Sequence, residues 1–277
     1  GYYWGRDNDN NRKKALKSIM KTILLMEYAS EVGMEYLKCL LHENIQIHSI
    51  ICIGDSYSEK REALLKERTG GMYVRPSFSG LLTESAIPIY IVDDINSLQC
   101  YQLLDNLNPD LVVMESSRII KSPLYEIPTI GIVNTHIAIL PYMRGCSCLE
   151  WAVLEDMPIG ATSHFVLEKV DAGPIIHRVL LDGCSRDNYE TIRTKAIYLQ
   201  AYTMVQGVIK ILKRQVEFNN ALLLDGGPWY SPMRDEADVQ KVKKKLRDGM
   251  YLPSKIQDDY PIDIIEVCGK TGRVELV

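Results

Sequence analysis

The sequence lacks an apolar run long enough to cross a membrane. Its 277 residues are 46% hydrophobic and 25% charged, but no apolar stretch reaches the roughly 18 residues that a membrane span needs. Residues 1–14 are polar and do not contain the apolar core of a signal peptide. The net charge of −4 gives the surface as a whole no attraction for nucleic acid or anionic membranes. We therefore expect a cytoplasmic globular protein with neither kind of partner.

Motifs that would define several other enzyme classes are also missing. The turn after the first predicted strand, residues 27–33, has no GxGxxG, so a dinucleotide-binding domain loses its main support. No GxSxG surrounds a serine nucleophile, and no GxxxxGKS loop is present to bind phosphates.

The cysteines do not have the spacing of a zinc site. They lie scattered through apolar segments: Cys39, Cys52, Cys100, Cys146, Cys148, Cys184 and Cys268. We interpret them as reduced, buried thiols of a cytosolic protein. Cys146 and Cys148 form a CxC with no second pair near by, so no metal site is predicted.

What the sequence does contain is an alternation of strand and helix patterns. An apolar strand at 22–26, a helical pattern at 30–42 and a strand at 46–53 favour a parallel sheet. Further strands are predicted at 87–92, 111–114, 160–166 and 175–181, with one beginning at Ile130, and helices at 96–107, 146–155 and 187–213. After residue 213 a turn, a basic helix at 235–247 and two or three short strands at 262–277 follow.

These patterns predict an α/β fold with a Rossmann-like open, mostly parallel sheet. The change of character after the long helix predicts a small α+β appendage at the carboxyl end. We divide the chain into an amino-terminal extension (1–21), a catalytic domain (22–213) and a small carboxyl-terminal subdomain (214–277).

Two polar side chains end the central apolar strand. Asn134 and His136 lie two residues apart, so on a strand they project from one face, at the carboxyl end where open α/β sheets bind ligands. An amide beside an imidazole can hold a developing oxyanion while the imidazole moves a proton. Asp171, in a downstream Asp-Ala-Gly loop, is either a turn residue or the partner that favours the protonated imidazole. We hypothesise that the three residues form one catalytic site.

Other candidate residues have two interpretations each. His164 either lines the same pocket or fills the core, and Arg144 either binds an anionic substrate group or pairs with a nearby acid. His177 is interpreted as structural. The basic run at 241–245 is more typical of a solvated helix face than of a nucleic-acid contact.

The order of these motifs resembles the folate-dependent formyltransferases, which include methionyl-tRNA formyltransferase, glycinamide ribonucleotide transformylase and the sugar N-formyltransferases. Asn-x-His at 134–136 precedes Leu-Pro-x-x-Arg-Gly at 140–145, Trp151, Gly-Ala-Thr-Ser-His-Phe-Val at 160–166 and Asp-Ala-Gly-Pro-Ile-Ile at 171–176. The resemblance is tight over residues 109–181 and looser over 22–107. It implies the formyltransferase fold.

Carried over residue by residue, the resemblance implies a catalytic and a folate-binding set. Asn134, His136 and Asp171 would be catalytic. The pterin ring of the folate would bind Arg118, Ile119 and Ile120 and the backbone near Leu140 and Val170. Independently of the resemblance, we predict that Arg144 and His164 bind the acceptor. The family usually has Pro-Ser or Gly-Ser after the histidine, whereas this chain has Ile137-Ala138.

The reaction that the resemblance implies is formyl transfer from 10-formyltetrahydrofolate to a primary amine or hydroxylamine, and we expect a small acceptor. Asn134 and protonated His136 would stabilise the oxyanion, and Asp171 would relay the proton directly or through a water. We expect a nucleotide-linked amino sugar first, and a hydroxyornithine-type siderophore precursor or a carrier-bound amino acid second.

Three alternatives stay open alongside this expectation. A methionyl-tRNA formyltransferase would, as the resemblance implies, carry an additional barrel domain of about a hundred residues, more than follows the long helix. A formyltetrahydrofolate hydrolase would pass the formyl group to water. A catalytically silent folate-binding domain would not need the intact Asn134, His136 and Asp171. Homodimerisation is also left open.

Overall fold

The computed structural model describes residues 20–83, 85–224 and 226–277. The predicted amino-terminal extension, residues 1–21, lies outside the described residues except for its last two. Strands in the described chain are β1 Thr22–Glu27, β2 Ser49–Ile53, β3 Ile89–Val92, β4 Leu111–Glu115, β5 Gly131–His136, β6 Arg144–Gly145, β7 Gly160–Phe165, β8 Ile175–Leu181, β9 Trp229–Tyr230, β10 Asp263–Val267 and β11 Val274–Leu276. Helices are α1 Glu31–His42, α2 Glu59–Thr69, α3 Phe78–Leu82, α4 Leu98–Leu107, α5 Cys148–Leu154, α6 Tyr189–Leu212 and α7 Glu236–Arg247.

The main sheet has nine strands in the order β11-β10-β8-β7-β5-β4-β1-β2-β3. The five strands from β5 to β3 are mutually parallel, β7 runs antiparallel to both β5 and β8, and β10 runs parallel to β8. The predicted Rossmann-like, mostly parallel α/β fold is therefore confirmed. The chain builds outward from β1 through β2 to β3 and then returns to β4 on the other side of β1. Ligands bind at such a reversal of strand order, outside the carboxyl ends of the strands.

Strands β1 and β2 of the parallel half are buried on both faces, which explains their apolar runs. Residues 22–26 of β1 and all five residues of β2 are buried. Parallel strands with helices on both sides read as continuous hydrophobic runs rather than as alternating ones. Helix α1 begins where the Ser30 hydroxyl accepts a hydrogen bond from the Gly33 amide (3.1 Å), so Ser30 is the N-cap of this helix.

The long helix α6 supports the strands that carry the polar motifs. Ile192, Leu199 and Val205 on this helix are fully buried. At Gly207 the helix approaches β7 so closely that an added Cβ would lie 2.4 Å from the Ser163 hydroxyl. A side chain at this position would push α6 away from the strand, so β5 and β7 rest on a firmly packed element.

The segment after residue 213 packs against the rest of the chain. Its strand β10 hydrogen-bonds to β8, β9 pairs with β6, and α7 packs against α5. The domain boundary at residue 213 stays a prediction, as does the separate role of residues 214–277. Across the described residues, no helix combines the length and apolar character needed to cross a lipid bilayer.

Candidate active site

Strand pairing brings the polar end of β5 next to a histidine of β7. In the antiparallel register Asn134 lies opposite His164, and His136 lies opposite Thr162. His136 is 7% exposed and His164 is 3% exposed, while Asn134 is half-buried. Since residues two apart share one face of a strand, Asn134 and His136 are presented together as the sequence predicts.

A cavity of about 430 Å³ opens at this edge of the sheet, and we call it the strand-end cavity. Eight residues that the sequence singles out line it: Arg118, Ile119, Ile120, Asn134, His136, His164, Val170 and Asp171. It extends to Gln200 on α6 and Trp229 on β9. A larger and more open depression, about 640 Å³, lies at the amino ends of β1 and β2 and contains none of these residues.

Asp171 lies between the two histidines of the cavity. Its Oδ1 is 3.6 Å from His136 Nδ1 and 3.8 Å from His164 Nε2, and its Oδ2 accepts a hydrogen bond from the Gly145 amide at 3.1 Å. The backbone holds Asp171 at φ +51, a left-handed conformation that Asp adopts more readily than most residues. The loop after β7 thus places the Asp171 carboxylate at the end of β5, beside His136.

The second nitrogen of each imidazole is fixed by a backbone carbonyl. His136 Nε2 lies 2.9 Å from the Met143 oxygen, and His164 Nδ1 lies 3.0 Å from the Phe165 oxygen. A carbonyl only accepts, so these nitrogens carry the protons and donate. In the neutral tautomers both histidines therefore present lone pairs to the Asp171 carboxylate.

The lone pairs of the two imidazoles and the Asp171 carboxylate are all hydrogen-bond acceptors. Acceptors that face one another need a shared proton or a bridging donor between them. His136, His164 and Asp171 are therefore arranged to hold and move a proton. Burial lowers the pKa of His164, although the neighbouring Asp171 acts in the opposite direction.

A cysteine touches the outer side of His136. Cys148 Sγ lies 3.6 Å from His136 Nε2, the arrangement that a cysteine nucleophile would need. Burial, together with the nearby Asp171 carboxylate, raises the pKa of this thiol to about 12. A thiol that stays protonated is a poor nucleophile, so Cys148 packs against the imidazole and does not initiate covalent catalysis.

The carboxyl end of β4 supplies the other wall of the cavity. Arg118 is held by two carboxylates, with Nε 3.3 Å from Glu27 and Nη1 2.5 Å from Asp94. Glu115 also lines the cavity and accepts a hydrogen bond from the Ser30 hydroxyl. Burial raises the pKa of Glu115 to about 7. Sequence reasoning missed Glu115, although an acid closing an otherwise apolar strand was a visible signal.

Two of the predicted binding residues lie away from the cavity lining. Leu140 is buried, and its amide donates to the Thr162 hydroxyl at 3.0 Å. Arg144 donates from Nη2 to the Gly227 carbonyl at 2.9 Å. The structure does not bring either residue to the cavity wall, and their roles in binding folate and acceptor stay predictions.

Trp229 is a cavity residue that the sequence did not reveal. It is 56% exposed at the mouth of the strand-end cavity, and its strand β9 pairs with β6, which contains Gly145. An added Cβ on Gly145 would lie 2.3 Å from the Tyr230 carbonyl, so glycine permits this pairing. Among the described residues, no group of three His, Cys, Asp or Glu side chains is arranged to hold a metal ion.

The sequence matches a known family model and curated relatives. Residues 95–208 match the model described as formyl transferase. The bifunctional polymyxin resistance protein ArnA of Wigglesworthia glossinidia brevipalpis is 28% identical over 203 residues, which are 71% of this chain and 28% of that protein. Methionyl-tRNA formyltransferase of Bacteroides fragilis is 26% identical over 132 residues, 47% of this chain and 41% of the relative. The matches thus span less than half the length of these two relatives.

Solved structures share the fold over a larger part of the chain. A 4-N formyltransferase from Francisella tularensis has a TM-score of 0.53 and 18% identity, covering 93% of this chain and 96% of that one. An N-formyltransferase from Helicobacter canadensis, in complex with folinic acid and dTDP-3-aminofucose, has a TM-score of 0.55 and 14% identity, covering 77% and 71%. The family model spans β5, β7 and the loop of Asp171, where the polar side chains converge. Over residues 95–208, less than half of its length, the chain resembles the formyl transferase family.

Proposed function

We propose that this protein transfers a formyl group from 10-formyltetrahydrofolate to an amine of a small acceptor. The observation that carries the proposal is the convergence of Asn134, His136 and Asp171 on one cavity. This chemistry needs an oxyanion donor, a proton carrier and a space that excludes bulk water. The strand-end cavity brings an amide, two imidazoles and a carboxylate together, and residues 95–208 match the formyl transferase model.

The residues of the cavity fit a folate donor. Ile119, Ile120 and Val170 supply apolar surface for a flat ring, and the polar residues 115–118 line the same cavity. Ligand pockets of this kind are mostly apolar with a few well-placed polar groups. His164 Nε2 is a buried nitrogen without a hydrogen-bond partner among the described residues, so a polar ligand atom or water would complete its bonding.

Each of the three residues has a distinct part in the transfer. The amine of the acceptor attacks the formyl carbon, and the Asn134 amide donates to the negative charge that develops on the formyl oxygen. The two ring nitrogens of His136 are directed at Met143 and Asp171. Protonated His136 would therefore stabilise the negative formyl oxygen through its positive charge and not through a direct hydrogen bond. Asp171 accepts the proton that leaves the amine and returns it, directly or through a water, to the folate nitrogen as the bond between that nitrogen and the formyl carbon breaks.

A nucleotide-linked amino sugar is the acceptor we favour. The Helicobacter neighbour is described with dTDP-3-aminofucose bound, and a sugar nucleotide combines a reactive amine with an anionic group at a fixed distance. A hydroxyornithine-type precursor and a carrier-bound amino acid are the next acceptors. Transfer to methionyl-tRNA is a second candidate, because the matched relatives include enzymes of that name.

An acceptor panel tests the proposal. Purified protein is incubated with 10-formyltetrahydrofolate and with amino-sugar nucleotides, hydroxyornithine or methionyl-tRNA, and the formylated product is detected by mass spectrometry. Formylation of an amino-sugar nucleotide is expected. Formate release at the same rate with and without any amine would instead identify a hydrolase, and folate binding without either reaction would identify a silent binding domain.

We place this reaction in the cytoplasm. All seven cysteines are free, and five of them are buried. Unpaired thiols in this number suit a reducing compartment. Fractionation of the cells that produce the protein would test the location, and recovery from an oxidising compartment with paired cysteines would contradict it.

A further inference from the structure

A second pocket adjoins the strand-end cavity on the side of α1, α2 and α6. Its volume is about 250 Å³. Ile137, which follows His136 directly, and Gln200 on α6 line both spaces. A molecule lying across Ile137 could therefore occupy the pocket with one end and reach the Asn134, His136 and Asp171 group with the other.

Three arginines line this pocket, and we call it the arginine pocket. Arg61 and Arg68 project from α2, and Arg193 projects from α6. Glu31 is the one acidic residue among the described lining residues. With three positive side chains and one negative one, the wall carries a formal charge of +2. Arginine guanidinium groups suit phosphate oxygens because two parallel N–H groups meet two oxygens.

Existing ion pairs determine which of these cations is available to a ligand. Arg61 lies 3.2 Å from Glu31, and Arg193 lies 3.2 Å from Glu150, which is 8% exposed. Both arginines are thus held in place with part of their charge compensated. Arg68 has no ion pair or hydrogen bond among the described residues and is exposed. Arg68 is therefore the cation that a bound anion would engage most directly.

We propose that the arginine pocket binds a phosphate or diphosphate group of the formyl acceptor. The proposal rests on the formyl transfer proposed above and adds the substrate class: an acceptor whose amine and phosphate lie on opposite sides of Ile137. The folate donor occupies the other side of the cavity, where Arg118, Ile119 and Ile120 lie. Donor and acceptor then enter from different faces, and the phosphate fixes how far the amine extends toward Asp171.

Binding of inorganic pyrophosphate, measured by isothermal titration calorimetry at constant ionic strength, tests the pocket without relying on catalysis. Wild-type protein is expected to bind pyrophosphate, and Arg68→Ala to bind it about tenfold more weakly, the loss that one charge-assisted contact represents. Lys66→Ala is the matched control, since Lys66 is an exposed cation on the same helix outside the pocket. It should bind like wild type.

Several outcomes would overturn the proposal. Wild-type protein that does not bind pyrophosphate would do so, as would equal weakening of binding in Arg68→Ala and Lys66→Ala. Wild-type protein that binds the dicarboxylate succinate as tightly as pyrophosphate would also contradict a phosphate site. Circular dichroism of Arg68→Ala should match wild type because the side chain is exposed; if this variant misfolds, Arg68→Gln replaces it in the same titration.

A kinetic measurement separates failure of the pocket from failure of the proposed function. Pyrophosphate should inhibit formyl transfer competitively toward the acceptor and not toward 10-formyltetrahydrofolate. Formyl transfer that pyrophosphate does not inhibit would refute the phosphate site and leave the proposed function intact. Pyrophosphate binding that depends on Arg68, in a protein that formylates no amine, would support the phosphate site and refute the proposed function.

Discussion

Two histidine–aspartate pairs lie on the same sheet, and their surroundings differ in kind. His177 on β8 has Nε2 3.1 Å from Asp263 on β10, and its Nδ1 accepts from Lys210 Nζ at 2.6 Å. His136 on β5 has Nδ1 3.6 Å from Asp171. Both nitrogens of His177 thus have a charged partner close by, whereas the looser His136 pair opens onto a cavity shared with Asn134. A histidine beside a carboxylate indicates catalysis only where space for a reactant adjoins it.

The largest expected effect follows from removing the carboxylate of the cavity pair. Asp171→Asn should lower the formyl-transfer rate by about 10³-fold, the scale of general acid–base catalysis, while folinic acid still binds. The matched control Asp263→Asn alters the carboxylate of the other pair and should retain turnover within about twofold, because no reactant meets it. Steady-state rates of both variants against wild type check this. Equal losses in the two variants would abolish the distinction between the pairs.

The ion pair between Arg178 and Asp258 should affect stability strongly. Arg178 is 1% exposed and donates from Nη1 and Nη2 to the two Asp258 oxygens at 2.8 and 2.7 Å. The Arg178 guanidinium holds the pKa of Asp258 down to about 2. Asp258→Asn should reduce the free energy of unfolding by about 3 kcal/mol, since it leaves a buried cation without its counter-charge.

Denaturant titration of Asp258→Asn measures this loss. Asp238→Asn, at a surface pair with Lys241, serves as the control and should leave the unfolding midpoint unchanged. A midpoint for Asp258→Asn that equals that of the control would show that the buried pair does not hold the carboxyl-terminal segment.

Exchanging each histidine for glutamine should separate structure from turnover. His177→Gln should reduce the free energy of unfolding by about 1–2 kcal/mol through lost hydrogen bonds with Lys210 and Asp263, and should keep formyl transfer. His136→Gln should remove most of the transfer with a smaller change in stability. Paired denaturation and rate measurements check this. Loss of transfer in His177→Gln at intact stability would contradict the structural assignment.

The smallest expected effect is the contribution of two buried histidines to the pH dependence of stability. Burial lowers the pKa of His164 and of His177, so the unfolded chain binds protons that the folded chain does not. The contribution of these two histidines to stability should therefore fall as the pH drops below about 6.5, by at most about 1.4 kcal/mol per pH unit for each, whereas Glu115, whose pKa burial raises to about 7, acts in the opposite direction. His177→Gln should make this decline shallower in denaturation curves recorded from pH 7.5 to 5. The same dependence of stability on pH in His177→Gln and in wild type would refute the burial argument for His177.

The sequence predicted the features that depend on local pattern. The two-residue spacing of Asn134 and His136 at the end of β5 placed them on one face. The strand–helix–strand pattern at 22–53 predicted the parallel sheet. The position of Asp171 rested on a resemblance in motif order, and the structure brings the residue within reach of His136.

Features that depend on contacts between distant segments were missed. Glu115 and Ser30 are 85 residues apart and meet only because β4 lies beside β1. Trp229 reaches the cavity through the pairing of two strands of two residues each, which are too short to have a periodicity. The arginine pocket combines α2 with α6, and a charged helix face in sequence predicts only solvation.

Following the fate of an isotopically labelled formyl group tests the central claim most directly. Wild-type protein, Asp171→Asn and Asp263→Asn are each mixed with labelled 10-formyltetrahydrofolate and the acceptor identified by the panel, and the label is located after a single turnover. The account predicts label on the acceptor nitrogen for wild type and Asp263→Asn, and label retained on folate for Asp171→Asn. Label recovered as formate from wild type, or on the acceptor at the wild-type rate from Asp171→Asn, would contradict it.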